Sequence, residues 1–515
     1  MGAKAQAKAP GGNRQPFHGG RRPKEGDLSL AWRSFVPDYV LRTLLRHPDQ
    51  TPAAVTERAD AVVLFADVVG FTPMSEALAR SGAYGTEELT RILNAWFGTM
   101  VELAAGAGGS VAEFAGDALT AVFWREARTW RATQRRALRC ALGMQAAMAR
   151  FQTIATRAGT FGLAMKVGLG AGPLLLGIAG DPGIRLAYLL AGPALDLAAA
   201  AEQHARSGEV IVDATLLDRG LSARVVERRA RWSVVGGVRG RPPIRRPAVL
   251  EWIDERTAGR LAPFFHPAIA ERLRSGRRDL VNEHRKVTVA FVGLPTLTAE
   301  DPQSVADLQR FLGAAVRVID RYGGHLRQVA SGDKGDVLVA FFGAPVSHED
   351  DEERAVRCGL ELLQLPGGPF RAGVTTGSVY CGEVGSDIRR EYAVIGDSVN
   401  LAARLLQAAR PGQLLIDRPT YERVHDTTVH DGLEPVAVKG KAGRIDLWAV
   451  HAVRDRTPEP AAAERLVGRD GEVATVRALL LRARAGAGQV VCLTGEAGIG
   501  KSRLAAETIR LAREL

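Results

Sequence analysis

The chain has only four cysteines in 515 residues, Cys140, Cys358, Cys381 and Cys492, and no two stand in a C-x-x-C pair. That spacing excludes a disulfide framework and a cysteine zinc site, and it fits a reducing cytoplasm. Aromatic residues make up 6%, and no basic stripe interleaves with them although the net charge is +11 at pH 7. Without such a stripe a nucleic-acid groove is not expected. Long apolar runs are missing as well. The longest uncharged one, VGLGAGPLLLGIAG between Lys166 and Asp181, is too short and too rich in glycine to span a bilayer. No signal-peptide pattern opens the chain, so the expectation is a soluble, cytoplasmic protein.

What is present describes a globular protein of several domains. Apolar residues at 46% and charged residues at 24% are ordinary values. Residues 1–28, rich in Gly, Pro, Ala and basic side chains, read as a disordered tail, and 29–56 as an N-terminal helical segment. Beyond them the chain repeats itself. AVVLFADVVGFTP (61–73) aligns with VTVAFVGLPTL (287–297), and FAGDALTAVFW (114–124) with SGDKGDVLVAFFG (331–343). GLGAGPLLLGIAG (168–180) aligns with GVTTGSVYCGEVG (373–385), and AYLLAGPALDLAAAA (187–201) with EYAVIGDSVNLAARL (391–405). The runs 61–73 and 287–297 are buried-strand patterns, 114–124 and 331–343 read as a turn and an alternating strand, and helical runs lie between them. Two α/β domains of one fold therefore stand in tandem, at 57–254 and 284–453, joined by an Arg-rich linker at 255–283 with some helix.

The two copies differ where chemistry is expected. Asp67 ends a hydrophobic strand and Asp117 sits in a glycine-containing turn, so two hard oxygen donors at adjacent strand ends suit Mg²⁺ or Mn²⁺. The VVGFT segment after Asp67 opens a helix whose first amides would cradle a triphosphate. In the second copy Asp397 and Ser398 supply N-cap chemistry to a helix carrying Asn400 and Arg404 on one face. The first copy has Asp196 and Ala200 in those two places. Near the C-terminus, GQVVCLTGEAGIGKSR (488–503) reads as a strand, a G-x-x-x-x-G-K-S loop from Gly495 through Gly500 and Lys501 to Ser502, and a helix. This is the context of a Walker A loop, whose amides and lysine hold phosphates while the serine meets Mg²⁺. Residues 454–515 are thus expected to begin a P-loop NTPase domain that is incomplete in this chain.

LFADVVGFT with EFAGDALTA, and EYAVIGDSVNLAARL in the second copy, resemble the class III nucleotidyl cyclases. Tandem domains followed by a P-loop resemble the soluble adenylyl cyclase type. The resemblance covers about 400 residues and implies two ferredoxin-like domains forming a pseudo-symmetric intramolecular heterodimer. It further implies an adenylate cyclase with ATP as substrate, two Mg²⁺ or Mn²⁺ ions, and one active site at the domain interface of a monomer; a larger assembly through further C-terminal sequence stays possible. By residue, Asp67, Asp117 and the Val68 backbone carbonyl would hold metal, and Gly70, Phe71 and Thr72 would contact the substrate. Arg404 would stabilise charge on the α-phosphate, Asn400 would orient the ribose, Lys334 would donate to the adenine ring, and Lys439, with Lys441 beside it, would contact the triphosphate.

Three departures matter. The first aspartate becomes Gly293 in the second copy, although Asp336 persists, so that copy is not expected to hold the metal pair. The base-recognising partner of the lysine, usually Asp or Thr in the family, is Ala393 here, which weakens the expected preference for ATP. The relatives activated by bicarbonate use a lysine and an arginine in the degenerate site, and here those neighbourhoods hold Glu113 and the alanines at 198–201. Direct bicarbonate activation is therefore not expected. Two other functions fit the same sequence: a nucleotide-binding module that regulates a downstream ATPase without turnover, and a guanylate cyclase.

Overall fold

The computed structural model describes residues 32–79, 81–116, 118–125, 130–217, 223–239, 254–275, 282–294, 302–330, 336–437, 444–454, 468–494 and 501–515. They fall into two units, one ending at Val453 and one beginning at Arg454.

The first unit contains two eight-stranded sheets that match strand for strand. The first sheet uses β1 (Thr56–Val69), β2 (Ser110–Ala115) and β3 (Ala118–Trp124), and a separate small hairpin pairs β4 (Ile154–Thr156) with β5 (Gly159–Phe161). The sheet continues with β6 (Ala164–Asp181), β7 (Arg185–Ala191), β8 (Val210–Asp213), β9 (Ala223–Arg229) and β10 (Trp232–Val238). Its order is β2-β3-β1-β6-β8-β10-β9, with β7 also paired to β6. The second sheet uses β11 (Glu283–Gly293), β12 (His325–Ala330), β13 (Val337–Phe342), β14 (Arg371–Gly385), β15 (Arg390–Ile395), β16 (Leu414–Asp417), β17 (Thr428–Ala437) and β18 (Arg444–Val453). Its order, β12-β13-β11-β14-β16-β18-β17 with β15 on β14, is the same topology. In each, the first four strands have the ferredoxin-like arrangement, with helices between the first and second strands and between the third and fourth.

The strands β3 and β13 are not half-exposed. Every residue of β13, and all of β3 except Trp124, is buried, so the alternation expected there is absent. Both faces are covered, and a strand covered on both faces has no reason to alternate. Val62, Leu64 and Ala66 of β1 pack with Leu89, Trp96 and Phe97 of the helix Gly82–Gly106. Ala61 and Val63, on the other face, pack in a cluster with Trp32, Tyr39 and Leu44 from the N-terminal segment and Leu261, Phe264 and Ile269 from the segment expected to be a linker. That linker is therefore also a core layer, built by the helices Glu255–Leu261 and Pro267–Arg274.

The two halves exchange apolar surface reciprocally. Tyr380 and Val384 of β14 with Ala393 and Ile395 of β15 join the core of the first half. Ala179 of β6 with Ala187, Leu189 and Ala191 of β7 join the core of the second, beside Phe311 and Ala315 of the helix Pro302–Arg321. At about 25 cal/mol per Å² of apolar surface removed from water, such mutual burial favours the closed pair over separate domains.

The helix Asp397–Ala408 starts one residue differently from expectation. Gly396 is its N-cap, and Asp397 is its first helical residue, where its charge suits the helix dipole. The helix lies directly on β14, because a Cβ at Gly373 would come within 2.5 Å of the Ala402 carbonyl oxygen and the Leu406 nitrogen. The residue at 373 thus sets the height of the helix that carries Asn400 and Arg404.

In the second unit, helices Asp470–Arg484 and Lys501–Glu514 flank the expected phosphate loop. The strand predicted ahead of that loop is not formed at residues 488–494. A strand exists only by pairing, and Val490 and Val491 are 99% and 44% exposed, with no partner strand among the described residues.

Candidate active site

Asp67 stands near the end of β1, where it pairs with Ala118 of β3 on one side and Lys166 of β6 on the other. The chain then turns at Gly70, whose φ of +96° is left-handed, and where a Cβ would sit 2.6 Å from the Gly162 carbonyl oxygen. Only glycine meets both conditions without strain. The helix Phe71–Ala79 follows at once, so its first amides open beside the end of β1. Val68 is buried in the core, which leaves its main chain as its only polar contribution.

Across the interface, β15 ends at Ile395 and passes through Gly396 into the helix bearing Asn400. One narrow cleft is lined by Phe71, Thr72, Ser75, Glu76 and Gly116 from the first half and by Ile395, Gly396, Asp397, Val399 and Asn400 from the second. It encloses about 20 Å³, room for roughly one water. Arg404, one helical turn beyond Asn400, is half-buried and makes no ion pair with another described residue. Ala393 is 4% exposed and packed in the apolar cluster of the first half, so no hydrogen bond is available from its side chain.

The structure therefore brings together Phe71, Thr72 and Asn400, with Gly70 shaping the turn. Asp117, Lys334, Lys439, Lys441, Gly495 and Gly500 lie outside the described residues, as do residues 1–28 and the side chain of Ser502. Lys501 opens the helix Lys501–Glu514. Among the described residues no three acidic, His or Cys side chains converge on a metal position. The oxygen donors that the first half does present, Asp67 and the Val68 carbonyl, have the chemistry that Mg²⁺ and Mn²⁺ select. Ser75 and Glu76 were not singled out from the sequence; their place one turn into the helix that VVGFT opens was the signal available for them.

The pseudo-symmetric mate of the cleft is different. Gly293 pairs with Val337 in the register in which Asp67 pairs with Ala118. Asp196, in the place of Asn400, has its carboxyl pushed up by burial and then by the charge of Asp336. Two acids thus feel one another where the other cleft has an amide.

A separate cavity of about 40 Å³ is lined by apolar side chains together with Tyr39, Glu113, Arg185, Tyr188, Arg327 and Gln328. Tyr39 Oη, Glu113 Oε1 and Arg185 Nη1 have no hydrogen-bond partner among the described residues. Burial, and then the nearby Glu391 charge, push the Glu113 carboxyl up to about 7, against the opposing pull of Arg327 and Arg389. Burial likewise lowers Arg185 to about 9, helped by the like charge of Arg327.

Residues 54–241 and 281–452 both match the model of the adenylate and guanylate cyclase catalytic domain, and residues 465–515 match the AAA ATPase domain. The chain is 26% identical over 404 residues to adenylate cyclase type 10 of Rattus norvegicus, covering 70% of this chain and 24% of the rat protein. It is 31% identical over 223 residues to an adenylate cyclase of Mycobacterium tuberculosis, covering 40% of this chain and 49% of that protein. Among solved structures it is similar to the guanylyl cyclase Cya2, with 29% identity, a TM-score of 0.32, and coverage of 35% of this chain and 98% of that one. The chain spans only about a quarter of the length of the type 10 relatives. Two matched segments on two equivalent sheets place the chain in the adenylate and guanylate cyclase catalytic domain family, with two copies of that domain in tandem.

Proposed function

We propose that the protein is an adenylate cyclase that converts ATP to 3′,5′-cyclic AMP and pyrophosphate at one site, the cleft between Phe71–Thr72 and Asn400. The observation that carries this reading is the asymmetry of the two clefts. One joins the Asp67 side of the first half to Asn400 and Arg404 of the second, while its mate has Gly293, Asp196 and Ala200 in the corresponding places.

Asp67, Asp117 and the Val68 carbonyl would hold two Mg²⁺ or Mn²⁺ ions, which supply activation of the attacking hydroxyl and neutralisation of the triphosphate when bound. The chain's own groups do the rest. The amides at Phe71 and Thr72, at a helix N-terminus, cradle phosphate oxygens, and Lys439 adds a positive charge there. Asn400 orients the ribose so that its 3′-oxygen attacks the α-phosphorus as the bond to the bridging oxygen breaks and pyrophosphate leaves. Arg404 meets the charge that develops on the α-phosphate. Lys334 selects adenine, while the buried methyl of Ala393 adds no hydrogen bond, so selectivity against GTP rests on the lysine.

The test is direct. Purified protein is incubated with ATP or GTP and Mn²⁺ or Mg²⁺, and each cyclic nucleotide is quantified. Cyclic AMP in excess over cyclic GMP is the expected result, with an unchanged rate when bicarbonate replaces chloride at fixed pH and ionic strength. Binding of nucleotide with no cyclic product would instead identify a regulatory binding module.

A further inference from the structure

Arg389 and Arg185 are equivalent, each standing seven residues before the glycine, Gly396 or Gly192, that ends its hairpin. Each reaches across the domain interface in the same way. Arg389 Nε donates to the Val111 carbonyl at 3.2 Å, and Arg185 Nε donates to the Leu326 carbonyl at 3.3 Å. Val111 and Leu326 open matching irregularities in the edge strands β2 and β12.

There the equivalence stops. Arg389 also donates to the carbonyls of Ala112 and Phe35, both at 3.2 Å, and to the Tyr188 hydroxyl at 3.0 Å, and it pairs with Glu391. The other oxygen of Glu391 pairs with Arg327, whose guanidinium donates to the Phe114 carbonyl at 3.2 Å. On the opposite arm the positions of Glu391 and Arg327 are Ala187 and Ala112, and Arg185 Nη1 is left unpartnered among the described residues. The three charged members of the network, Arg389, Glu391 and Arg327, thus all come from the second half, with no charged equivalents of Glu391 and Arg327 in the first.

The segments the network joins lead to the candidate active site. Glu391 is four residues before Ile395 on β15, and Ile395 and Gly396 line the cleft. Phe114 is two residues before Gly116, which lines it from the other half. Arg389 and Glu391 are only 3% and 4% exposed. Taking such charges out of water is expensive, and well-packed apolar side chains hold an interface together as well or better. What a guanidinium fork adds is direction, because its donors are fixed in a plane and meet their acceptors in one geometry.

We propose that Arg389, Glu391 and Arg327 are positioning residues for the cyclase reaction, an inter-domain clamp that fixes the Gly116 end of β2 against the β15–Gly396–Asn400 segment. The clamp rests on the reading of that cleft as the active site. It touches no substrate; it sets the separation between the groups contributed by the two halves.

Arg389→Lys keeps the charge and loses the fork. In the full chain its kcat should fall about tenfold or more, as a misplacement near 1 Å does, with KM for ATP within about twofold. Glu391→Gln should show the same split, and it stands in if Arg389→Lys fails to fold. Arg185→Lys, the equivalent change on the alanine arm, should leave kcat within about twofold of the parent. Rates are compared well below each protein's melting temperature, and amide exchange over 110–115 and 390–395 should rise in the clamp variants and not in Arg185→Lys. An active parent whose Arg389→Lys and Glu391→Gln forms keep kcat, or whose Arg185→Lys form loses as much as they do, overturns the clamp alone. A parent that forms no cyclic nucleotide overturns the cyclase reading and the clamp's meaning with it.

Discussion

Arg404→Ala should lower kcat for cyclic AMP formation by about 100- to 1000-fold, the usual cost of removing one group aimed at transition-state charge, while KM for ATP stays within about threefold. The split follows from where the charge appears. On the proposed mechanism, the negative charge that Arg404 would meet develops only as the ribose oxygen attacks. Arg404 is half-buried, one helical turn from Asn400, on a helix whose height is fixed by Gly373. Asp67→Ala should lose at least as much, because on the proposed mechanism it removes a carboxylate that would hold the metal ions. Asp196→Ala, on the mate of the Asn400 position, should change the rate by less than about twofold. Initial rates over a range of ATP concentrations decide all three.

Glu113→Gln should change how stability depends on pH. The folded-state carboxyl titrates near 7, above its ordinary value of 4.5, so between those values the native state holds a proton that the unfolded chain has released. Glu113 therefore makes its full contribution below about pH 4.5 and loses it as pH rises towards about 7, a change on the order of 3 kcal/mol. The groups facing it are Glu391, Arg327, Arg389 and Gln328, with Tyr39, Tyr188 and Arg185 around the same cavity. Glutamine has no proton to lose, so the variant should gain stability relative to the parent as pH rises from 4.5 to 8, with no further change above that. Denaturant titrations of both proteins across this range measure the difference. A constant gap would mean that Glu113 is not held protonated.

Much of this architecture is visible in the amino-acid sequence because it is local. Two strand, glycine and helix units written twice declare two copies of one fold, and the i,i+4 spacing of Asn400 and Arg404 puts them on one helix face before any coordinates exist. What escaped is long-range. Nothing in RREYAV shows that Arg389 will bond to carbonyls of Val111 and Ala112, because that depends on how two sheets meet across a pseudo-twofold. The segment at 255–283 reads as a connector by its mixed composition, yet Leu261, Phe264 and Ile269 become core only because the sheet has a second face to cover. Asp397 was expected to cap its helix, and Gly396 does so because β15 runs on extended to that point. The run at 488–494 has the composition of a strand, but composition does not supply a neighbour to pair with.

The central claim is that one chain makes one composite site from both of its halves. Asp67→Ala and Arg404→Ala chains, each inactive alone, are mixed in equal amounts and cyclic AMP formation is measured against the parent at the same total concentration. An intramolecular site predicts that the mixture stays as inactive as its components, because neither chain holds both halves intact. Recovery of a substantial fraction of the parental rate would contradict the account and place the working site between two chains.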